Sequence, residues 1–313
     1  MTVLAFLGPL GTFTHEAARR FAAAPEDLRP ETDIDAVYDA VEQGRADRAV
    51  VALDNTVEGL VIPSLNRLLS GSVFALDRTD VLVSFCAVRR ADDPGPARVA
   101  VSHPHALAQC RAFVQDHGLE TRTADSTARA CQELSPGEVA IAPKICAEVY
   151  GLRIEAEHIQ DYAGARTTFL SLMRSAELSA DRVAAVPQPA HTLLAVTPRR
   201  AEIGCLTRIL AGLSDRHINI FSLSSRPVKA APGAYTFLLD VNGAPGTFPL
   251  RDTMQEWLDA GDFLKILGVY PWSPHDELTV SPISETNMLP GSFTGASIPA
   301  AFAGCFTSSG ARP

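Results

Sequence analysis

The sequence predicts an α/β protein in which helices cover mostly parallel sheets, followed by a smaller ferredoxin-like unit. Three observations predict it. Short apolar runs alternate with helical patterns through the first 175 residues. A stretch rich in Ala, Ser and Pro at 176–190 then reads as a linker. Beyond it, at 191–272, the order becomes β-α-β-β-α-β, the split βαβ pattern.

Residues 3–7 read as a strand and 15–24 as a helix; strand 49–53 precedes a helix at 62–69. The longer apolar run 81–88 is expected to be one crossover strand. Strand 99–102 leads to a helix at 106–117, strand 121–124 to a helix at 128–134, and strand 139–142 to a helix at 144–150. Phe169 to Met173 is an apolar, strand-like run, preceded by the β-formers Thr167 and Thr168. In the second unit, strands at 191–196, 218–223, 234–241 and 266–270 surround helices at 204–213 and 250–259. Residues 273–313 are dominated by Ser, Pro, Gly and Thr without periodicity, and are expected to form a mobile tail.

Composition narrows the function. A net charge of −9 without a long basic block argues against a nucleic-acid partner. No apolar stretch approaches the roughly 18 residues of a membrane span. The start, Met1-Thr2-Val3-Leu4-Ala5-Phe6-Leu7-Gly8, lacks the basic segment of a signal peptide, so a cytoplasmic protein is expected. The six cysteines form no Cys-x-x-Cys pair and have no histidine at zinc spacing, so reduced core thiols and no metal are expected.

Four strand-to-helix turns share one chemistry. They are Gly8-Pro9-Leu10-Gly11-Thr12-Phe13-Thr14, Asp54-Asn55-Thr56-Val57-Glu58-Gly59, Ser102-His103-Pro104 and Asp125-Ser126-Thr127-Ala128. A helix start offers unpaired N–H groups and partial positive charge, which suits a carboxylate or phosphate. Singly, each turn reads first as an ordinary N-cap. Together with Arg166-Thr167-Thr168 ahead of an apolar strand, they predict an anion cleft. A strand-end hydroxyl beside a cation suits protonation of a leaving oxygen. There is no Gly-x-x-x-x-Gly-Lys-Ser/Thr run, and Gly8-x-x-Gly11 is too short for a dinucleotide loop.

In this order these motifs, with Ala108-Gln109-Cys110 and Arg166-Thr167-Thr168-Phe169, resemble those of the prephenate dehydratase family, and residues 191–272 resemble its ACT regulatory domain. The resemblance implies two subdomains of periplasmic-binding-protein type closing on substrate, in an assembly of two or four copies. It implies that prephenate loses carbon dioxide and its ring hydroxyl, giving phenylpyruvate without a cofactor. By the resemblance Thr167, Asn55 and Ser102 are catalytic. Thr12, Phe13, Asp54, Thr56, His103, Ser126, Thr127, Arg166, Thr168 and Phe169 would bind the dianionic substrate. A phenylalanine effector would meet Gly204, Cys205 and Leu206 together with Ser224, Ser225, Arg226 and Pro227.

The chain also departs from the family pattern. Pro-Ile-Glu-Asn-Ser becomes Ala52-Leu53-Asp54-Asn55-Thr56, Thr-Arg-Phe becomes Thr167-Thr168-Phe169, and the usual asparagine before that triplet is Gly164. Arg166 is expected to replace the missing arginine. Ser224 stands where the effector motif has glutamate, removing a partner for an ammonium group. Two other readings stay open: a decarboxylase that keeps the ring hydroxyl, and a non-catalytic amino-acid or anion sensor.

Overall fold

The computed structural model describes residues 2–228 and 231–273, and the expected tail from residue 274 onward lies outside them. In chain order the first elements are β1 (Leu4–Leu7), α1 (Phe13–Phe21), β2 (Leu28–Glu31), α2 (Ile34–Glu42), β3 (Arg48–Asn55), β4 (Gly59–Leu60), α3 (Ile62–Ser70) and β5 (Val73–Leu82). A second lobe follows with β6 (Cys86–Arg90), β7 (Val99–Ser102), α4 (Pro104–Gln109), α5 (Arg111–Asp116), β8 (Glu120–Thr123), α6 (Thr127–Gln132), β9 (Glu138–Ala142), α7 (Ile145–Tyr150) and β10 (Leu152–Ala156). The chain returns to the first lobe through β11 (Arg166–Arg174). After α8 (Ala180–Ala184) come β12 (Ala190–Thr197), α9 (Cys205–Ser214), β13 (Ile220–Pro227), β14 (Tyr235–Asn242), α10 (Leu250–Asp259) and β15 (Phe263–Pro271).

Among the described residues the strands form two sheets. The larger has the order β13-β14-β12-β15-β5-β11-β3-β1-β2, with β4 on β3; the smaller is β10-β6-β9-β7-β8. Both are mixed rather than mostly parallel, because the chain re-enters each sheet in reverse. β11 runs antiparallel to β3 and β5, and β6 runs antiparallel to β9 and β10. The expected single strand at 81–88 is two strands in different sheets, and residues 83–85 carry the chain across. There the Val83 N–H donates to Ala165 O at 2.7 Å, on the returning segment. The expected helix at 106–117 breaks at Cys110, where the Asp161 carboxylate accepts from the N–H groups of Arg111 and Ala112 at 2.9 and 3.0 Å.

The β-α-β-β-α-β order of the second unit is present, and α9 and α10 cover one face of its sheet through Leu194, Val196, Leu239 and Trp257. Its other face merges with the first unit: Leu193, Ala195, Leu238, Leu267 and Tyr270 share a core with Val37, Leu65, Leu170 and Leu172. The linker is likewise packed, with α8 inside it and Val186 buried. Besides this shared core, the strands of the two units meet edge to edge where β15 runs parallel to β5, registered at Gly268 against Ala75. A Cβ on Gly268 would lie 2.6 Å from Ala75 Cβ and 3.0 Å from its carbonyl oxygen. Overpacking of this kind costs about 1–3 kcal/mol. Gly268→Ala should therefore lower the urea midpoint, and Ala75→Gly in the same chain should recover part of it. An unchanged midpoint would contradict the close seam.

Candidate active site

Between the two lobes lies a cleft of about 1090 Å³. Each lobe delivers a helix start to it. Thr12 caps α1, its Oγ1 accepting from the His15 N–H at 3.1 Å, and Ser126 caps α6 by accepting from the Arg129 N–H at 3.0 Å. These are the predicted caps, and they leave the first amides of each helix for a ligand. Thr12, Phe13 and Thr14 line one wall of the cleft; Asp125, Ser126, Thr127 and Arg129 line the other. The glycine turn before α1 is held from beneath. The Gly11 N–H donates to His15 Nδ1 at 3.0 Å, and the Cys146 thiol donates to Gly11 O at 3.0 Å. Burial lowers the pKa of His15, assisted by the Arg19 charge. It is therefore neutral at pH 7 and able to accept.

The most informative contact joins two of the predicted residues. Asn55 Nδ2 donates to Thr167 Oγ1 at 2.8 Å. Asn55 Oδ1 accepts from the N–H groups of Val57 and Glu58 at 2.9 and 3.0 Å. Two backbone donors can be served only by the amide oxygen, so the side-chain orientation follows from the turn. Thr167 Oγ1 is consequently an acceptor toward Asn55, and among the described residues no group takes its own proton. Both residues line the cleft, with Thr167 8% exposed.

His103 also lines the cleft. Its Nδ1 accepts from the His105 N–H at 3.3 Å, which leaves Nε2 as the protonated nitrogen. Burial and the neighbouring His105 lower its pKa, so it serves as a neutral donor. The floor is apolar: Val83, Phe85 and Leu60 face the same space, and Phe13 meets Phe85 edge to face at 5.5 Å.

Six predicted site residues stand elsewhere. Ser102 is fully buried and donates to Ile141 O, so its hydroxyl braces the smaller sheet while His103 takes the cap position. Phe169 is core, and the exposed Thr56 accepts from the Arg166 N–H at 3.0 Å. Strand alternation turns Arg166 and Thr168 to the face opposite Thr167. Thr168 Oγ1 donates to Asp80 Oδ1 at 2.8 Å there, and Asp54 is its register partner. Burial raises the pKa of Asp54, with Asp240 adding to it. The cation that does line the cleft is Arg129, paired with Glu133 at 2.7 Å, in place of the expected Arg166. Thr14, Gln109 and Arg129 are cleft residues that the motif reading left out; the first two lie inside quoted motifs.

Of the expected effector residues, Gly204 caps α9, which packs on the sheet through Ile209 and Leu213, whereas Ser224 and Arg226 are register partners of Leu238 and Thr236, Leu238 belonging to the core on the other face.

The model of the prephenate dehydratase family matches residues 4–177. The prephenate dehydratase of Amycolatopsis methanolica is 36% identical over 249 residues, covering 78% of this chain and 80% of that protein. Among solved structures, the prephenate dehydratase of Arthrobacter aurescens in complex with L-Phe superposes with a TM-score of 0.75 at 28% identity, over 86% of this chain and 90% of that one. GqqA, described as a novel type of quorum quenching acylase, superposes with a TM-score of 0.76 at 28% identity, over 87% of this chain and 99% of that one. The match of the catalytic lobes and the identity to named relatives agree: the chain belongs to the prephenate dehydratase family.

Proposed function

We propose that the cleft binds prephenate with one carboxylate at the start of α1 and the other at the start of α6, its ring hydroxyl facing Thr167. In that pose the bond from the ring to its carboxylate breaks, and its electron pair enters the ring. The carboxylate leaves as carbon dioxide. The ring hydroxyl takes a proton from the Thr167 hydroxyl, which regains one from solvent, and leaves as water; the product is phenylpyruvate. Aromatisation drives the reaction, so the protein's task is to position the ring and stabilise the departing oxygen. Thr167 donates its hydrogen bond to that oxygen, and the Asn55 N–H holds the electron density that builds on Thr167 Oγ1. The observation that supports this reading is the fixed Asn55 amide, which donates to Thr167 Oγ1 and so leaves that hydroxyl able to donate to a substrate.

On this reading the chain is a carbon–oxygen lyase of phenylalanine synthesis, working in the cytoplasm as an assembly of two or four copies. Support for phenylalanine as effector comes from the L-Phe complex of the Arthrobacter aurescens relative. One experiment tests the reading. Purified protein is incubated with prephenate, following the ultraviolet spectrum and carbon dioxide together, with and without phenylalanine. Phenylpyruvate and carbon dioxide in equal amounts support it, and a saturable change of rate with phenylalanine supports the effector. Carbon dioxide without an aromatic product would mean decarboxylation alone. Neither signal would leave a binding module.

A further inference from the structure

We propose that Asp80, on the sheet face turned away from the cleft, is a positioning residue for Thr167. The inference rests on the reading of Thr167 given above, and concerns how its hydroxyl is kept in place.

The backbone holds Thr167 evenly on one side only: β11 pairs with β5 without a break from Arg166 to Ser171, while its ladder with β3 is irregular beside the site. On β3 the register with β11 slips between Thr168 and Phe169: Thr168 pairs with Asp54, but Phe169 pairs with Ala52. Leu53 is the extra residue, and its carbonyl accepts from the Val61 N–H at 2.8 Å, outside the ladder. A bulge re-aims the side chains beside it and leaves the ladder locally loose. Thr167 and Asn55 lie just past that slip.

Asp80, the register partner of Thr168 on β5, adds a side-chain tie on the regular side of β11. Its carboxylate accepts from Thr168 Oγ1 at 2.8 Å, a charge-assisted bond to the residue adjoining Thr167. Arg78 Nη2 holds both carboxylate oxygens at 3.1 Å, and the two side chains are 8% and 6% exposed. The backbone oxygen of Asp80 accepts from Arg20 at 2.7 Å, and Arg20 belongs to α1, whose first turn lines the cleft. One residue thus ties β11 and α1 to the same strand. The Arg78 guanidinium lies over the Tyr270 ring at 5.8 Å, so the support reaches β15 of the second unit.

The test compares Thr168→Val, Thr168→Ser and Thr167→Val by steady-state kinetics on the full chain. Valine keeps the shape of threonine and removes the donor to Asp80. The expected result is a fall of about tenfold or more in kcat with KM within about twofold, because small displacements of a reacting group are costly. Serine restores the hydrogen bond, and should bring kcat back to within about threefold of the parent. Should Thr168→Val not fold, Thr168→Ala gives the same comparison. Parental kcat in Thr168→Val beside an inactive Thr167→Val overturns the inference. So does equal impairment of the valine and serine variants, or a rise in KM at constant kcat. Parental kcat in Thr167→Val overturns the underlying reading instead.

Discussion

Replacing Thr167 by valine is expected to lower kcat by about 10²–10³-fold while KM stays within about threefold, since a positioned proton donor contributes on this scale. The side chain is nearly buried, lines the cleft and already accepts one hydrogen bond from Asn55. Valine removes both the proton offered to the leaving oxygen and the acceptor for Asn55 Nδ2. The first loss acts only as the carbon–oxygen bond breaks, so it falls on kcat. The second leaves a donor without a partner and costs about 1–3 kcal/mol of stability. A lower melting temperature should therefore accompany the kinetic loss, and kcat must be compared well below it. Serine at this position retains both roles and should stay within about tenfold of the parent. Initial rates of phenylpyruvate formation decide the matter; a valine variant with parental kcat would remove Thr167 from the chemistry.

Much of the site was legible because capping chemistry is local. Thr12 and Ser126 precede their helices in sequence and cap them in space through bonds spanning three residues. What sequence could not show depends on distant partners. Asp161, about 50 residues away, accepts from the first two amides of the helix that restarts after Cys110. Ser102 has the composition of a cap but spends its hydroxyl on Ile141, which only the sheet geometry reveals. β2 was missed because Pro30 sits inside it, and proline is tolerated there only because β2 is a sheet edge.

The departures from the family motifs gain a physical reason in the same way. In sequence, Asp54 for glutamate and Thr168 for arginine are two separate changes. In the sheet they are register partners, on the face away from the cleft. An arginine at 168 would have sat beside the acid at 54. With threonine there, Asp54 keeps a shortened side chain, and burial raises its pKa. The cleft face, with Thr167 and Asn55, retains the family's residues. Arg166, expected to replace that arginine, does not line the cleft.

The direction of the Thr167 proton is the claim on which the mechanism stands, and Asn55→Asp tests it most directly. The aspartate keeps an oxygen for the Val57 and Glu58 N–H groups, so the turn survives. Its second oxygen, when ionised, accepts the Thr167 proton and turns it away from the substrate. The expected kcat at pH 7 is about 10²-fold or more below the parent, on the scale of a lost general acid. Protonation turns that oxygen into a donor again, as the amide was. An aspartyl side chain titrates near 3.9 when unperturbed and higher when partly buried. Relative to the parent, kcat should therefore recover by about tenfold for each pH unit lowered from 8 toward 5, the sign expected of an acid active only when protonated. A loss that does not vary with pH, or no loss at all, would contradict the assignment of Thr167 as the donor to the departing hydroxyl.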